Sequence, residues 1–302
     1  MGYNYAYKDL LERAERVNWR IEDLIGGDKR LDFSRAFMPE NLARVEGLDF
    51  LTTNEKKILN QIRGHAYLRI FGLVEEFILP FVLGQTPSMM DDDYRVRAYI
   101  EFAGEEAKHI QLFHRFAQAF TEGFGTKCDV IGPGEAVAKH ILAHHPLSVA
   151  LVILHIEWMT QRHYVDSVHD NGALDPCFKD LLKHHWMEEM QHAQLDGLMV
   201  EAMAAKMPAA EIETGIDGYW AIGGFLDEGL KQQTMFDLAA FETAAKRTLT
   251  PEERERFVKV QHQANRWTYL GSGMSHPKFV EMMGKLSQDR KRGLLEAVPM
   301  FS

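Results

Sequence analysis

Apolar positions along the chain recur every three or four residues, the period of a helix that buries one face. Sustained two-residue alternation bounded by hairpin turns is nearly absent, so strands are not expected. The periodic segments predict helices at about 5–25, 54–84, 91–122, 146–171, 175–206, 217–247, 251–270 and 277–296. Several starts carry their own signal. Thr52 with Glu55 and Thr250 with Glu253 read as capping boxes, and Pro251 fits a first helical position. Asp175-Pro176 repeats the cap-then-proline pattern, and Asp91, Asp92 and Asp93 place negative charge at a helix's positive end. Asn171-Gly172 and Gly123 read as stops. Pro80 falls inside a helical pattern, where a kink or an early end is expected.

The four successive helices between 54 and 206 each exceed about 25 residues, roughly 38 Å at 1.5 Å per residue, a length suited to a four-helix bundle. Their apolar positions cover much of the circumference, which predicts central helices covered by others. The segment from Tyr3 to Ile25 and the chain after about Lys206 would supply that cover. The expectation is one all-α domain over 1–302, with a bundle at about 54–206 and a helical extension at about 207–302.

Composition narrows the function classes. Of 302 residues 46% are hydrophobic and 26% charged, the balance of a globular protein with a substantial core. The 34 basic against 44 acidic residues give a net charge of −10, which argues against nucleic acid as partner. The most apolar run, Leu147 to Leu154, interrupted only by Ser148, is far below the roughly 18–20 residues that span a bilayer, so no membrane insertion is expected. Two cysteines, Cys128 and Cys177, form no disulfide framework or C-x-x-C pair. With no leader-like segment at the start, they point to the cytoplasm.

Two E-x-x-H motifs carry the chemistry: Glu106-Ala107-Lys108-His109 and Glu189-Met190-Gln191-His192. On a helix, positions i and i+3 share a face, so each motif points a carboxylate and an imidazole the same way. Each motif helix follows another long helix with a glutamate in apolar sequence. In the second half this is Glu157; in the first it is Glu75 or Glu76. Glu75 is preferred, because Leu68, Phe71, Ile78, Leu79 and Val82 flank it, whereas Glu76 shares its side with His65 and Arg69. Glu157 lies 32 residues before Glu189 and Glu75 lies 31 before Glu106. Glu157 and Glu189 are about equally far from their turn. Glu75 sits closer to its turn than Glu106 does, so an offset register is expected there. Carboxylates gathered on inward faces would repel and lose hydration unless cations joined them. Two divalent ions would neutralise four glutamates, and a mixed carboxylate–imidazole set suits iron or manganese. His185, four residues before Glu189, continues the stripe of Glu189 and His192; it is a third imidazole of the cluster, a support for a ligand carboxylate, or a helix-surface histidine like its neighbour His184.

The order E … E-x-x-H … E … E-x-x-H over 75–192 resembles the ferritin-like di-iron oxygenases. His185, in H-x3-E-x2-H spacing, makes the p-aminobenzoate N-oxygenase family the most similar. The resemblance implies a ferritin-like bundle whose metal ligands are Glu75, Glu106, His109, Glu157, His185, Glu189 and His192. It further implies two iron ions (Mn/Fe admitted), O2 as co-substrate, a small-molecule substrate and an external electron donor such as a reductase or ferredoxin. A homodimer is compatible with it. The expected activity is N-oxygenation of an amine; the alternatives are a desaturase or C–H hydroxylase and, in another class, a non-catalytic iron-storage or iron-sensing protein. Glu105 and Glu188, each preceding a motif glutamate, and Thr160, three after Glu157, resemble the acyl carrier protein desaturases instead. Thr160 stands either beside the oxygen-binding face or back-bonded to its own helix.

Tyr67, two turns before Glu75, is a candidate to line a substrate pocket, and Arg266 a candidate anchor for a substrate carboxylate. Both also fit plain packing or surface roles. His140 and His144 have helical spacing but no third ligand in view. Gly132-Pro133-Gly134 and Gly271-Ser272-Gly273 follow no strand, so phosphate loops are not expected.

Overall fold

The structure, a computed structural model, describes residues 2–302, with side chains from Tyr7 onward. Among the described residues there is no β-strand, only two isolated bridges, Gly26–Lys29 and Ala36–Leu174. The fold is all-α. The helices are α1 (Gly2–Ala14), α2 (Ile21–Leu24), α3 (Glu40–Ala43), α4 (Thr53–Gln85), α5 (Asp93–Phe124), α6 (Gly134–Leu142) and α7 (Pro146–His163). They continue with α8 (Pro176–Ala204), α9 (Ala209–Ala245), α10 (Pro251–Arg266), α11 (Ser272–Met274), α12 (Pro277–Leu286) and α13 (Gln288–Ala297). Two π-helical turns, Tyr164–Val168 and Trp267–Gly271, extend α7 and α10.

The bundle is α4, α5, α7 and α8, with α4 paired to α5 and α7 to α8. Helix α1 covers α5 and α8, while α9 lies across α4 and α7. Helix α7 is enclosed by α8, α9 and α11, and this explains why thirteen of the fourteen positions from Leu147 to Thr160 are buried. No helix among the described residues is long and apolar enough to cross a membrane.

Both expected capping boxes form: Thr52 accepts from Glu55 N and Thr250 from Glu253 N, and each glutamate accepts from its cap's backbone. Asp92 and Asp175 cap α5 and α8. Other boundaries differ from the periodic reading. The helix expected over 5–25 breaks after Ala14, and an extended Arg20 (φ −117°, ψ 148°) lets Trp19, Ile21 and Leu24 turn into the core. Ser287, also extended, splits 277–296 and caps a new helix by accepting from Arg290 N. Helix α9 starts at Ala209, and its early Gly215 admits Leu147 where a Cβ would come within 2.7 Å of that side chain. Helix α6 was not anticipated; it is nine residues long and buries only Ile141, too little for a periodic signal. Helix α5 runs through Gly123 and ends on Gly125, which takes the left-handed conformation (φ 75°). Pro80 neither ends α4 nor shortens it: the residue is exposed, so water can take the carbonyl its missing N–H leaves free.

The long irregular segment between α2 and α4 is anchored by polar side chains of α4. Asn60 accepts from Phe37 N (2.8 Å) and Met38 N (2.9 Å) and donates to Met38 O (2.7 Å). Gln61 donates to Phe33 O and Arg35 O. Phe37, fully buried, stacks on Phe178, and its Cβ would lie 2.7 Å from a Cβ at position 64, so the close approach requires Gly64.

Candidate metal centre

Each bundle helix delivers donors to one place. Glu75 comes from α4, Glu106 and His109 from α5, Glu157 from α7, and His185, Glu189 and His192 from α8; none is more than 3% exposed. Glu157 is the one carboxylate of α7, whose arginine, Arg162, lies in the last turn. The 3₁₀ turn Thr86–Met89 carries the helical rise beyond Gln85 and puts the chain reversal at Met90–Asp92, close to midway between Glu75 and Glu106. The expected offset register therefore disappears.

The donors fall into two groups, Glu75–His109–His185–Glu189 and Glu106–Glu157–Glu189–His192, with the ligand atoms of each within 4.8 Å of one another. Glu189 belongs to both. Its Oε1 lies 3.2 Å from His109 Nδ1 and 2.8 Å from His185 Nε2, while its Oε2 lies 3.2 Å from His192 Nδ1. Glu75 Oε1 is 3.1 Å from His185 Nε2, so His185 faces the same point as Glu75 and His109. Glu76 does not join; its carboxylate packs on Gly134, where a Cβ would overlap Oε2.

The chemistry of the cluster fits a pair of cations. Both Glu106 oxygens, Glu75 Oε2, Glu157 Oε2 and His109 Nδ1 are buried without a hydrogen-bond partner. His192 Nδ1 lies 2.9 Å from Glu106 Oε1, yet the alignment is not that of a hydrogen bond. Lone pairs converging at this distance without donors between them are what a ligand shell presents, and leaving such groups unsatisfied costs about 1–3 kcal/mol each, more when charged. Burial first, then Glu106, pushes the Glu75 carboxyl up to about 8. Burial and Glu189 push Glu157 well above the carboxylate range, and burial raises Glu106 as well. Burial would raise Glu189 too, but His185, His192 and a hydrogen bond from Glu157 outweigh it and hold Glu189 well below its ordinary value. Burial thus favours the protonated form of three of these carboxyls, and bound divalent ions would displace such protons.

A second set of contacts fixes the imidazoles. His109 Nε2 donates to Glu188 Oε2 and His192 Nε2 to Glu105 Oε2, both at 2.8 Å. Each glutamate precedes the motif glutamate of the facing helix, so α5 and α8 brace one another's histidines. With Nε2 turned to its brace, Nδ1 of each ring is the atom that faces the cluster and would present its lone pair to a bound cation. Glu188 is also ion-paired to Lys108, whose ammonium sits 4.0 Å over the Trp19 ring. Phe102 stacks on His192, and Phe71 and Phe113 meet His185 edge-on, which closes the centre to bulk water.

The remaining candidates are placed otherwise. Thr160 Oγ1 donates to Ile156 O at 3.0 Å, the back-bonded arrangement, and its proton is committed there. Arg266 is taken by Asp227 (Nε–Oδ1 2.8 Å) and lies over Phe301, away from both donor groups. Tyr67 is buried, and its hydroxyl meets His163 Nδ1 at 2.9 Å. His140 stacks on Phe225, and no third ligand joins it and His144 among the described residues. The braces Glu105 and Glu188 were visible as E-E-x-x-H doublets, but their partners lie across the bundle.

No family model matches the chain, and no curated protein matches it. Among solved structures, R2-like ligand-binding oxidase with an aerobically reconstituted Mn/Fe cofactor aligns at 16% identity over 86% of this chain and 91% of that one, with a TM-score of 0.48. A mutant of that oxidase with an aerobically reconstituted Fe/Fe cofactor aligns at 16% identity over 87% and 92%, with the same score. The site's own residues carry the functional reading.

Proposed function

We propose that the centre binds two transition-metal ions, iron or iron with manganese, and that the protein is an O2-dependent oxidase or oxygenase acting on a small organic substrate. The observation that carries this reading is the sharing of Glu189 between two buried donor groups in which Glu75 Oε2, both Glu106 oxygens, Glu157 Oε2 and His109 Nδ1 have no hydrogen-bond partner. Four inner carboxylates match the charge of two divalent ions, and carboxylate with imidazole suits iron and manganese. Such a pair, when bound, supplies reversible electron transfer to dioxygen.

The chain's own part follows from the contacts above. Glu189 would be shared by the two ions, Glu75, His109 and His185 would complete one position, and Glu106, Glu157 and His192 would complete the other. Glu188 and Glu105 hold the Nε2 protons and so orient the imidazoles. The aromatic shell excludes water. His185 makes the two positions unequal, with two imidazoles on one and one on the other. That asymmetry supports the finer proposal, N-oxygenation of an amine, which draws its electrons from an external donor protein.

The test is to load the reduced protein with Fe(II), add O2 and a panel of arylamines, and analyse products by mass spectrometry. Hydroxylamine, nitroso or nitro products are expected. Products of C–H oxidation or desaturation would keep the oxidase and remove N-oxygenation. Fe(III) accumulating as mineral with no organic product would overturn the enzyme reading.

A further inference from the structure

Helix α9, the longest of the described helices, has a face that the metal centre does not use. One side of it buries Ile222, Leu230 and Leu238 against α4, α7 and α10. On the opposite side Ala221, Phe225, Glu228, Gln232, Met235 and Ala239 are all exposed. Their spacing alternates four and three residues, the seam of a helix that packs lengthwise along another. The stripe runs for about 27 Å at 1.5 Å per residue. Phe225 and Met235, 36% and 49% exposed, line one cavity of about 700 Å³ between α9 and α6.

Helix α6 adds an independent observation. It has nine residues and buries only Ile141, and a helix so short is marginal unless something packs on it. Its Ala136, Val137 and His140 line the same cavity. The His140 ring stacks on Phe225 at 4.0 Å between centroids, which holds Phe225 against the groove wall. Two helices thus turn apolar side chains toward one open groove, the form of surface on which a further helix docks.

The stripe itself indicates the occupant. A two-fold axis at position 230 would set Phe225 opposite Met235 of a second, antiparallel copy, Ala221 opposite Ala239, and Glu228 opposite Gln232. Each pairing then occurs twice, as an isologous contact requires. A thioether on an aromatic ring is a favourable contact, and alanines at both ends allow close approach. Lys231 of the copy comes within one residue of the position facing Glu228, so opposite charges meet on both sides of the axis. A parallel pair would instead set Glu228 against Glu228, and like charges would oppose it.

We infer that the outer face of α9, with the α6 groove beside it, is an interface between two copies of this chain, packed antiparallel across α9. This holds whether or not the centre carries metal. Equilibrium sedimentation of the full chain should give twice the chain mass of 34.6 kDa. Phe225→Asp should weaken the association by about tenfold or more and leave thermal melting unchanged, since the side chain already stands at the surface. Disulfide formation reads the register. Phe225→Cys and Met235→Cys chains, mixed, left to exchange and oxidised, should cross-link as pairs of one chain of each kind. Either variant alone should stay at the wild-type level. Its two cysteines would lie about 15 Å apart along the helix, beyond the roughly 7 Å that a disulfide spans. A chain that sediments as a monomer at every concentration up to about 100 µM overturns the interface. So does a dimer that survives Phe225→Asp, or one that cross-links no better in the mixture than singly, because the contact then lies on another face.

Discussion

At the scale of single residues, adjacent side chains on one helix have sharply different fates. Glu75 enters the cluster and Glu76 turns to α6, so Glu75→Ala should lower bound metal while Glu76→Ala leaves it at two ions per chain, measured by elemental analysis after desalting. Glu189→Ala should remove both ions, because its two oxygens face the two groups separately. The E-x-x-H motifs could be read from the chain because i,i+3 spacing fixes a shared face without reference to anything else. Glu75 could be favoured over Glu76 only through its apolar flanks, since the Gly134 contact that draws Glu76 away comes from a helix too short to anticipate. The roles of Glu105 and Glu188 were illegible for a different reason: each acts on a histidine of the facing helix. Glu188→Gln keeps the shape but weakens the bond that holds His109, and it should lower metal affinity about 10–100-fold by competition titration. Unchanged affinity would remove the brace from the account.

Among the elements, the long helices were legible because their caps and periodicity agree, and the breaks were not because tertiary contacts decide them. Ser287 and Arg20 are extended where local preference alone would have continued a helix. The segment between α2 and α4 is the least periodic stretch, and its order depends on α4. Asn60→Ala would strip partners from two buried N–H groups and one carbonyl, for an expected loss of about 2–4 kcal/mol in urea unfolding. Gly64→Ala would force Phe37 out of its place against Phe178 and should cost about 1–3 kcal/mol. A loss below about 0.5 kcal/mol in either would mean that this segment is not held as described.

Across the whole molecule, burial favours the neutral form of several histidines outside the cluster. His65, stacked on Phe120 with Nδ1 unpartnered, is lowered to about 4 by burial and by Arg69, and burial likewise lowers His155 to about 4. The unfolded chain takes up these protons near pH 6.5 and the folded chain does not. Stability is therefore full above about pH 6.5 and falls as pH drops toward the folded values, by at most about 1.4 kcal/mol per pH unit for each group. In His65→Phe the loss between pH 7 and pH 5 should be smaller by about 2 kcal/mol in urea unfolding; an identical loss would show that His65 is charged in the fold. The same enclosure that keeps these rings neutral gathers four inner glutamates in the bundle, and the account stands or falls on what balances them. Anaerobic titration of metal-free protein with Fe(II), with bound iron counted after desalting, tests this most directly. Two ions per chain, one per donor group, is the predicted result; a protein that stays folded and retains no iron would contradict it.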